Sequence, residues 1–270
     1  MSSSNKQQVN EVVTKSDIVS DLRALGVLEG MVLEVHASIR TLGYVIGGAQ
    51  TVVDALIEAV GFDGTVVMPI QASENTEPSF WENPPVDRSL WKKVRESMPA
   101  FKPDESDIFN MGAVAENLNR RPGAYRSYHP NCAFVTYGKY GKLISQHQSL
   151  DYALSEESPL GQMYQLPSYV LLMGVDYDRC TCMHLGEYRS NARQVILQGG
   201  AIEENGYRKW VKYLDIALDS DEFVEIGRKM ETRNMIREGK VGKSDCKLFR
   251  MAEAVDFTAE YLEKKYPMEV

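Results

Sequence analysis

The feature that most constrains this chain is an uninterrupted strand, loop, helix, turn and strand near its N-terminal end. MVLEVHAS, bounded by Gly30 and Ser38, is a short apolar, β-branched run and reads as a strand. The periodic AQTVVDALIEAVG reads as a helix, and after the turn GFDG the run TVVMPI reads as a second buried strand. A helix between two strands is a βαβ unit, whose strands pair in parallel through a right-handed crossover. The expected fold class is therefore α/β: three layers, α/β/α, around a mostly parallel central sheet.

The flanking sequence fits around that unit. SDIVSDLRALG places Ile18, Leu22 and Leu25 on one helical face and stops at Gly26, and the polar residues 1–14 ahead of it read as a flexible tail. From Gln71 onward, prolines and the aromatics Phe80, Trp81 and Trp91 surround one helical stretch, DRSLWKKVRESM. Residues 71–108 therefore read as a large irregular insertion that packs. MGAVAENLNRR, PLGQMYQL, MHLGEYRSNAR, DEFVEIGRKMETRNMI and FRMAEAVDFTAEYLEKKY read as helices, while CAFVTYG, SYVLLMGV and the segment Tyr207 to Leu214 read as strands. Without a repeat or a linker, residues 1–270 read as a single domain.

Charge and cysteine usage narrow the function classes. A formal net charge of −8 opposes generic binding to nucleic acid or anionic membranes, and would also attract a polycationic small molecule. No run approaches the length of a membrane span and the opening MSSSNKQQVN lacks a secretory apolar core, so a cytoplasmic protein is expected. The cysteines, Cys132, Cys180, Cys182 and Cys246, are expected to be reduced thiols. Cys180 and Cys182 stand close before His184, but C-x-C without a second Cys/His pair is not a zinc spacing, and no metal is expected.

Three segments carry candidate chemistry. In HASIRTLGYVIGGAQTVVDAL, Gly43, Gly47 and Gly48 permit close backbone approach beside a helix N-terminus, and Arg40 adds a cation; the loop is either an anion cradle or a tight turn. In MHLGEYR, His184 and Glu187 are three apart and share a helical face, so the carboxylate can orient an imidazole base; an ordinary helix-start histidine with a solvated glutamate has the same spacing. In RSYHPN, Pro130 biases His129 toward an extended conformation that suits a rigid pocket wall, where it is either a structural residue or a ligand contact, with Arg126 and Ser127 as candidate contacts to a nucleotide-like ligand. His36, inside a strand, and His147, at a polar helix end, are assigned structural roles. A serine nucleophile elbow is absent.

In order along the chain, VHASIRTLGYVIGGAQTVVDAL, GTVVMPIQ, SMPAF followed by MGAVAE, YRSYHPNCAFVTYG, EESPLGQMYQL, YVLLMGVDYD and HLGEYR resemble the antibiotic N-acetyltransferases, the family of the aminoglycoside 3-N-acetyltransferases. The resemblance spans Asp17 to Met251 and implies a fold different from that of the GNAT acetyltransferases. It implies acetyl-CoA as co-substrate, no metal, and direct transfer of acetyl to the 3-amino group of an aminoglycoside. Homo-oligomerisation is left open. His184 is the implied catalytic base, with Glu187 as its carboxylate and Asp215 of YLDIALDSDEF as a second candidate. The implied cofactor contacts are Ser38, Arg40, Thr41, Gly43, Tyr44, Val45, Gly47 and Gly48, joined by Ser127 and His129. Gln71, Glu77, Trp81, Asp151, Glu156 and Glu157 would border the cationic substrate. Arg179, Cys180, Cys182 and Met183 depart from the small or polar residues more usual in the family ahead of the histidine. Two alternatives follow: a non-aminoglycoside amine as acceptor, or a CoA-binding protein without catalysis.

Overall fold

Thr14 opens the first helix with a reciprocal capping box: its hydroxyl accepts the Asp17 N–H while the Asp17 carboxylate accepts the Thr14 N–H. In the computed structural model, which describes residues 9–72, 74–108 and 111–267, strand β1 (Val12–Val13) precedes helix α1 (Lys15–Leu25). Gly26, at φ 110°, ends α1 in the left-handed region that glycine reaches without strain. Then come β2 (Val32–Ala37), β3 (Tyr44–Val45), α2 (Gly48–Val60) and β4 (Thr65–Gln71). β2 and β4 pair in parallel, Val32 opposite Thr65, as the βαβ reading requires. β1 pairs with β3 and Val13 is buried, so residues 12–14 belong to the fold rather than to the tail expected over 1–14; residues 1–8 lie outside the described residues.

The insertion contributes α3 (Trp91–Ser97) among 3₁₀ turns and irregular chain. After it run α4 (Gly112–Asn119), β5 (Tyr125–Arg126), β6 (Cys132–Gly138), α5 (Gly141–Ser145), α6 (Pro159–Tyr164) and β7 (Ser168–Met173). The last third holds α7 (Met183–Ser190), β8 (Val195–Glu204), β9 (Tyr207–Ile216), α8 (Phe223–Thr232), β10 (Arg237–Val241), β11 (Ser244–Arg250) and α9 (Met251–Lys265).

The central sheet has seven strands in the order β10-β11-β7-β2-β4-β6-β5. Only β7, β2 and β4 run parallel; every other pairing is antiparallel. The expectation of a mostly parallel sheet is thus corrected to a mixed one with a parallel centre. The cause is local at one edge, where the tight turn at Gly242 and Lys243 makes β10 and β11 a hairpin and forces them antiparallel. Phe249 and Arg250 belong to β11, so the last helix begins at Met251 rather than at the phenylalanine.

Hydrophobic clusters cover both faces of the sheet. One joins Leu33 and Val35 to Ile18, Leu22, Val52, Leu56, Val114 and Leu118. The other joins Val32, Val170 and Leu172 to Met183, Leu185, Phe223, Ile226 and Val255. The alternation of a strand decides this division. It also puts Glu34 and His36 on the Val32 side, facing α7. β8 and β9 form a separate two-stranded ribbon, and the insertion is sewn to it: Phe101 donates its N–H to Ala201 O at 2.8 Å, and the Asn75 side chain exchanges two hydrogen bonds with Ala201.

Candidate active site

The carboxyl ends of β2, β4 and β7 open into a cavity of about 830 Å³. The crevice outside the carboxyl ends of parallel strands is where α/β sheets bind ligands. Its walls are Ser38 and Arg40 after β2, Met68 and Gln71 on β4, Val175 beyond β7, Gly112 and Ala113 opening α4, and Asp178, Arg179, Thr181 and His184 before and within α7.

Three residues apart on α7, His184 and Glu187 meet: His184 Nδ1 lies 2.5 Å from Glu187 Oε2. Glu187 is 0% exposed, and a buried carboxylate is tolerable only when its oxygens are paired. Oε1 accepts from Arg193 Nε at 2.5 Å and from the Asp219 N–H at 3.2 Å. Arg193 also donates to Asp219 O at 3.2 Å and to Glu222 Oε2 at 3.1 Å. Burial works against the Arg193 charge, but Glu187 outweighs it and holds the guanidinium more basic than usual. The His184 ring packs against Phe223, with 4.9 Å between centroids. With Nδ1 donating to the carboxylate, Nε2 is the ring's basic nitrogen.

Asp215 is placed differently. It is buried, and its Oδ1 accepts from the Tyr188 hydroxyl and from the Ile216 N–H at 2.9 Å. Burial raises its pKa; Tyr188, the Ile216 N–H and His184 counteract, and Asp151 adds to the rise. Asp215 is thus bonded to Tyr188 and Ile216, and the carboxylate in contact with the imidazole is Glu187. A second cavity of about 450 Å³ is lined by Tyr152, Glu156, Glu187, Tyr188, Arg189 and Arg193 among others, so the His184–Glu187 pair stands between the two cavities.

The expected cofactor residues separate. Ser38 and Arg40 line the large cavity, whereas Thr41, Gly43, Tyr44, Val45, Gly47 and Gly48 do not. The Thr41 hydroxyl is turned to Ser38 O and Ser244, Gly43 lies against Lys243, and Tyr44 and Val45 pair with β1. Gly47, at φ 81°, serves as the N-cap of α2, where an added Cβ would strike Thr51. Ser127 is buried between Gln148 and the Phe134 N–H. His129 is also buried: Nδ1 accepts the Asn131 and Cys132 N–H groups, Nε2 faces Leu150 O, and burial takes its pKa down to about 4. Neither residue lines the cavity, so both are structural in this arrangement.

Among the expected substrate residues, Gln71 lines the large cavity. Glu77 is instead locked to Arg95, at 2.5 and 3.1 Å, and the Trp81 indole donates to Thr76. Asp151 is exposed and accepts the Leu214 N–H at 2.7 Å. Glu156 pairs with Arg189 at 2.7 Å in the second cavity, and Glu157 is exposed. Sequence reasoning missed Thr181, Asp178 and the opening of α4, whose glycine and alanines carry no chemical signature, and it gave His36 only a structural role. All four cysteines are free and buried. Among the described residues no group of three or more His, Cys, Asp or Glu could hold a metal ion, and no helix is long and apolar enough to cross a membrane.

The family model described as aminoglycoside 3-N-acetyltransferase matches residues 35–263. The chain is 42% identical, over 92% of each sequence, to the SPbeta prophage-derived aminoglycoside N(3')-acetyltransferase-like protein YokD of Bacillus subtilis. The crystal structure of YokD superposes with a TM-score of 0.93, covering 97% of both chains. Aminoglycoside N(3)-acetyltransferase IX of Micromonospora chalcea is 32% identical over 94% of each sequence. The structure of AAC-VIa bound to sisomicin, 26% identical, has a TM-score of 0.84 over 96% of this chain and all of that one. The chain belongs to the aminoglycoside 3-N-acetyltransferase family, a family of acetyl-CoA-dependent acyltransferases.

Proposed function

We propose that this protein transfers the acetyl group of acetyl-CoA directly to the 3-amino group of an aminoglycoside, with His184 as general base. The observation that carries the reading is the His184–Glu187 pair at the wall of the large cavity. Glu187 holds the imidazole with Nδ1 protonated, so Nε2 can take a proton from the attacking amine, and the carboxylate stabilises the imidazolium that results. Acetyl-CoA supplies the activated acyl group. The residues present suit it: the cavity has the size of a small-molecule site, and Arg40, which enters no ion pair among the described residues, can meet a phosphate, while Arg179 on the same wall is paired with Asp178 at 3.1 Å. The Ser38 hydroxyl and the backbone at Gly112 add donors on the same walls.

A cationic acceptor suits the exposed Asp151 carboxylate and the net charge of −8. The relative AAC-VIa, solved with sisomicin, supports an aminoglycoside in particular. A cytoplasmic location belongs to the same reading, since acetyl-CoA is a cytoplasmic metabolite.

The test is thiol release from acetyl-CoA against a panel of aminoglycosides and simple amines, with the product regiochemistry read by NMR. Aminoglycoside-dependent release that is abolished in His184→Ala, together with acetylation at the 3-amino group, is the expected result. Turnover with simple amines alone would replace the acceptor; normal turnover by His184→Ala would overturn the base.

A further inference from the structure

His36 lines the same cavity as His184 and is 7% exposed. Its Nε2 accepts the Thr181 N–H at 3.3 Å and lies 3.3 Å from Glu34 Oε1. Glu34 is 0% exposed. Its only ion-pair neighbour among the described residues is His36. Beside it, Cys182 is kept a neutral thiol by burial, by Cys180 and by Glu34 itself, and so contributes no compensating charge.

Because Nε2 accepts the Thr181 N–H it carries no hydrogen, and the neutral ring holds its hydrogen on Nδ1. Nδ1 has no hydrogen-bond partner among the described residues and is not among the enclosed, unpartnered atoms, so it is open to the cavity.

We propose that His36 is a second functional histidine of this site, its Nδ1–H donating to the carbonyl oxygen of the acetyl thioester while His184 takes the proton of the amine. The inference rests on the acetyl-transfer reading. As the amine nitrogen bonds to the carbonyl carbon, the C=O electron pair moves onto oxygen, where His36 meets it. The pair then returns, the C–S bond breaks, and the thiolate leaves with the proton that His184 took from nitrogen. Glu34, 3.3 Å from His36 Nε2, is a positioning residue acting through His36.

Asparagine and leucine separate the chemistry from the packing, because the side-chain amide nitrogen of asparagine stands near the Nδ1 position and leucine offers no donor there. Relative to wild type, kcat is expected to fall about 100-fold in His36→Leu, the usual loss for one oxyanion donor, and by less than about 10-fold in His36→Asn. Affinity for acetyl-CoA should be retained in both.

A readout independent of turnover is the infrared carbonyl stretch of ¹³C-acetyl-CoA bound to His184→Ala protein. It should lie below that of free acetyl-CoA, return to the free value when His36→Leu is added, and remain low with His36→Asn. His36→Ala replaces the leucine variant if melting shows that it does not fold. An unshifted carbonyl with His36 intact, a shift that survives loss of the donor, or normal turnover by His36→Leu would each overturn the inference and leave the acetyltransferase reading in place. Absence of amine-dependent thiol release by the wild type, with the carbonyl shift present, would instead overturn that reading and uphold the role of His36.

Discussion

His184 Nδ1 lies 2.5 Å from Glu187 Oε2, and the same carboxylate is held from behind by Arg193, so the imidazole is oriented by a buried charge that is itself fixed. Glu187→Gln keeps the size of the side chain but removes the charge and leaves one end a donor. It is expected to lower kcat by about 100-fold or more while leaving the KM for acetyl-CoA near the wild-type value, as for orienting carboxylates of histidine bases. Steady-state kinetics with a fixed acceptor checks this; an unchanged kcat would remove Glu187 from the mechanism.

Arg193 is the cation that makes the buried Glu187 affordable. Arg193→Met leaves the carboxylate with the Asp219 N–H on that side and should destabilise the protein by about 3 kcal/mol in urea unfolding, the usual loss when one partner of a buried pair is removed. Adding Glu187→Gln should recover part of that loss, because the uncompensated charge goes with it.

Gly186 sits between His184 and Glu187 along α7 and lies against α9. A Cβ there would come within 2.7 Å of Thr258 Cβ and 2.8 Å of the Val255 carbonyl oxygen, and a backbone atom cannot rotate aside. Gly186→Ala should therefore push α7 off α9, costing about 1–3 kcal/mol by the measure of overpacked cores, and should reduce kcat through the displaced His184. Thermal unfolding and kinetics on the same preparation test both effects, and an unchanged melting temperature would count against this packing.

His129 gives the fold an acid sensitivity. Its pKa is about 4 in the fold, from burial, against about 6.5 unfolded, so the unfolded chain binds the proton first and stability is lost as pH falls from 6.5 towards 4. Between pH 7 and pH 5 this residue should account for about 2 kcal/mol of lost stability. His129→Asn retains an acceptor for the Asn131 and Cys132 N–H groups and cannot titrate, so its unfolding free energy should fall less over that interval. Equal losses in the two proteins would show that His129 does not carry the effect.

What the sequence determined by itself was whatever depends on neighbours along the chain. The parallel pairing of β2 with β4 follows from a helix of the right length between two apolar runs, and the His184–Glu187 contact follows from a three-residue spacing on one helix. Tertiary structure decided the rest, because strand partners and the facing of side chains are set by segments far apart. The antiparallel edges of the sheet come from β6 and β11 meeting β4 and β7. Ser127 and His129 turned inward to satisfy the Phe134, Asn131 and Cys132 N–H groups, and the glycine loop, apart from Ser38 and Arg40, went to pair with β1 and to cap α2. His36 moved the other way. A histidine in a strand has no local signal of function: alternation sets it on one face with Glu34, but only the packing of that face against the segment before α7 buries Glu34 and opens the His36 Nδ1 to the cavity that holds His184.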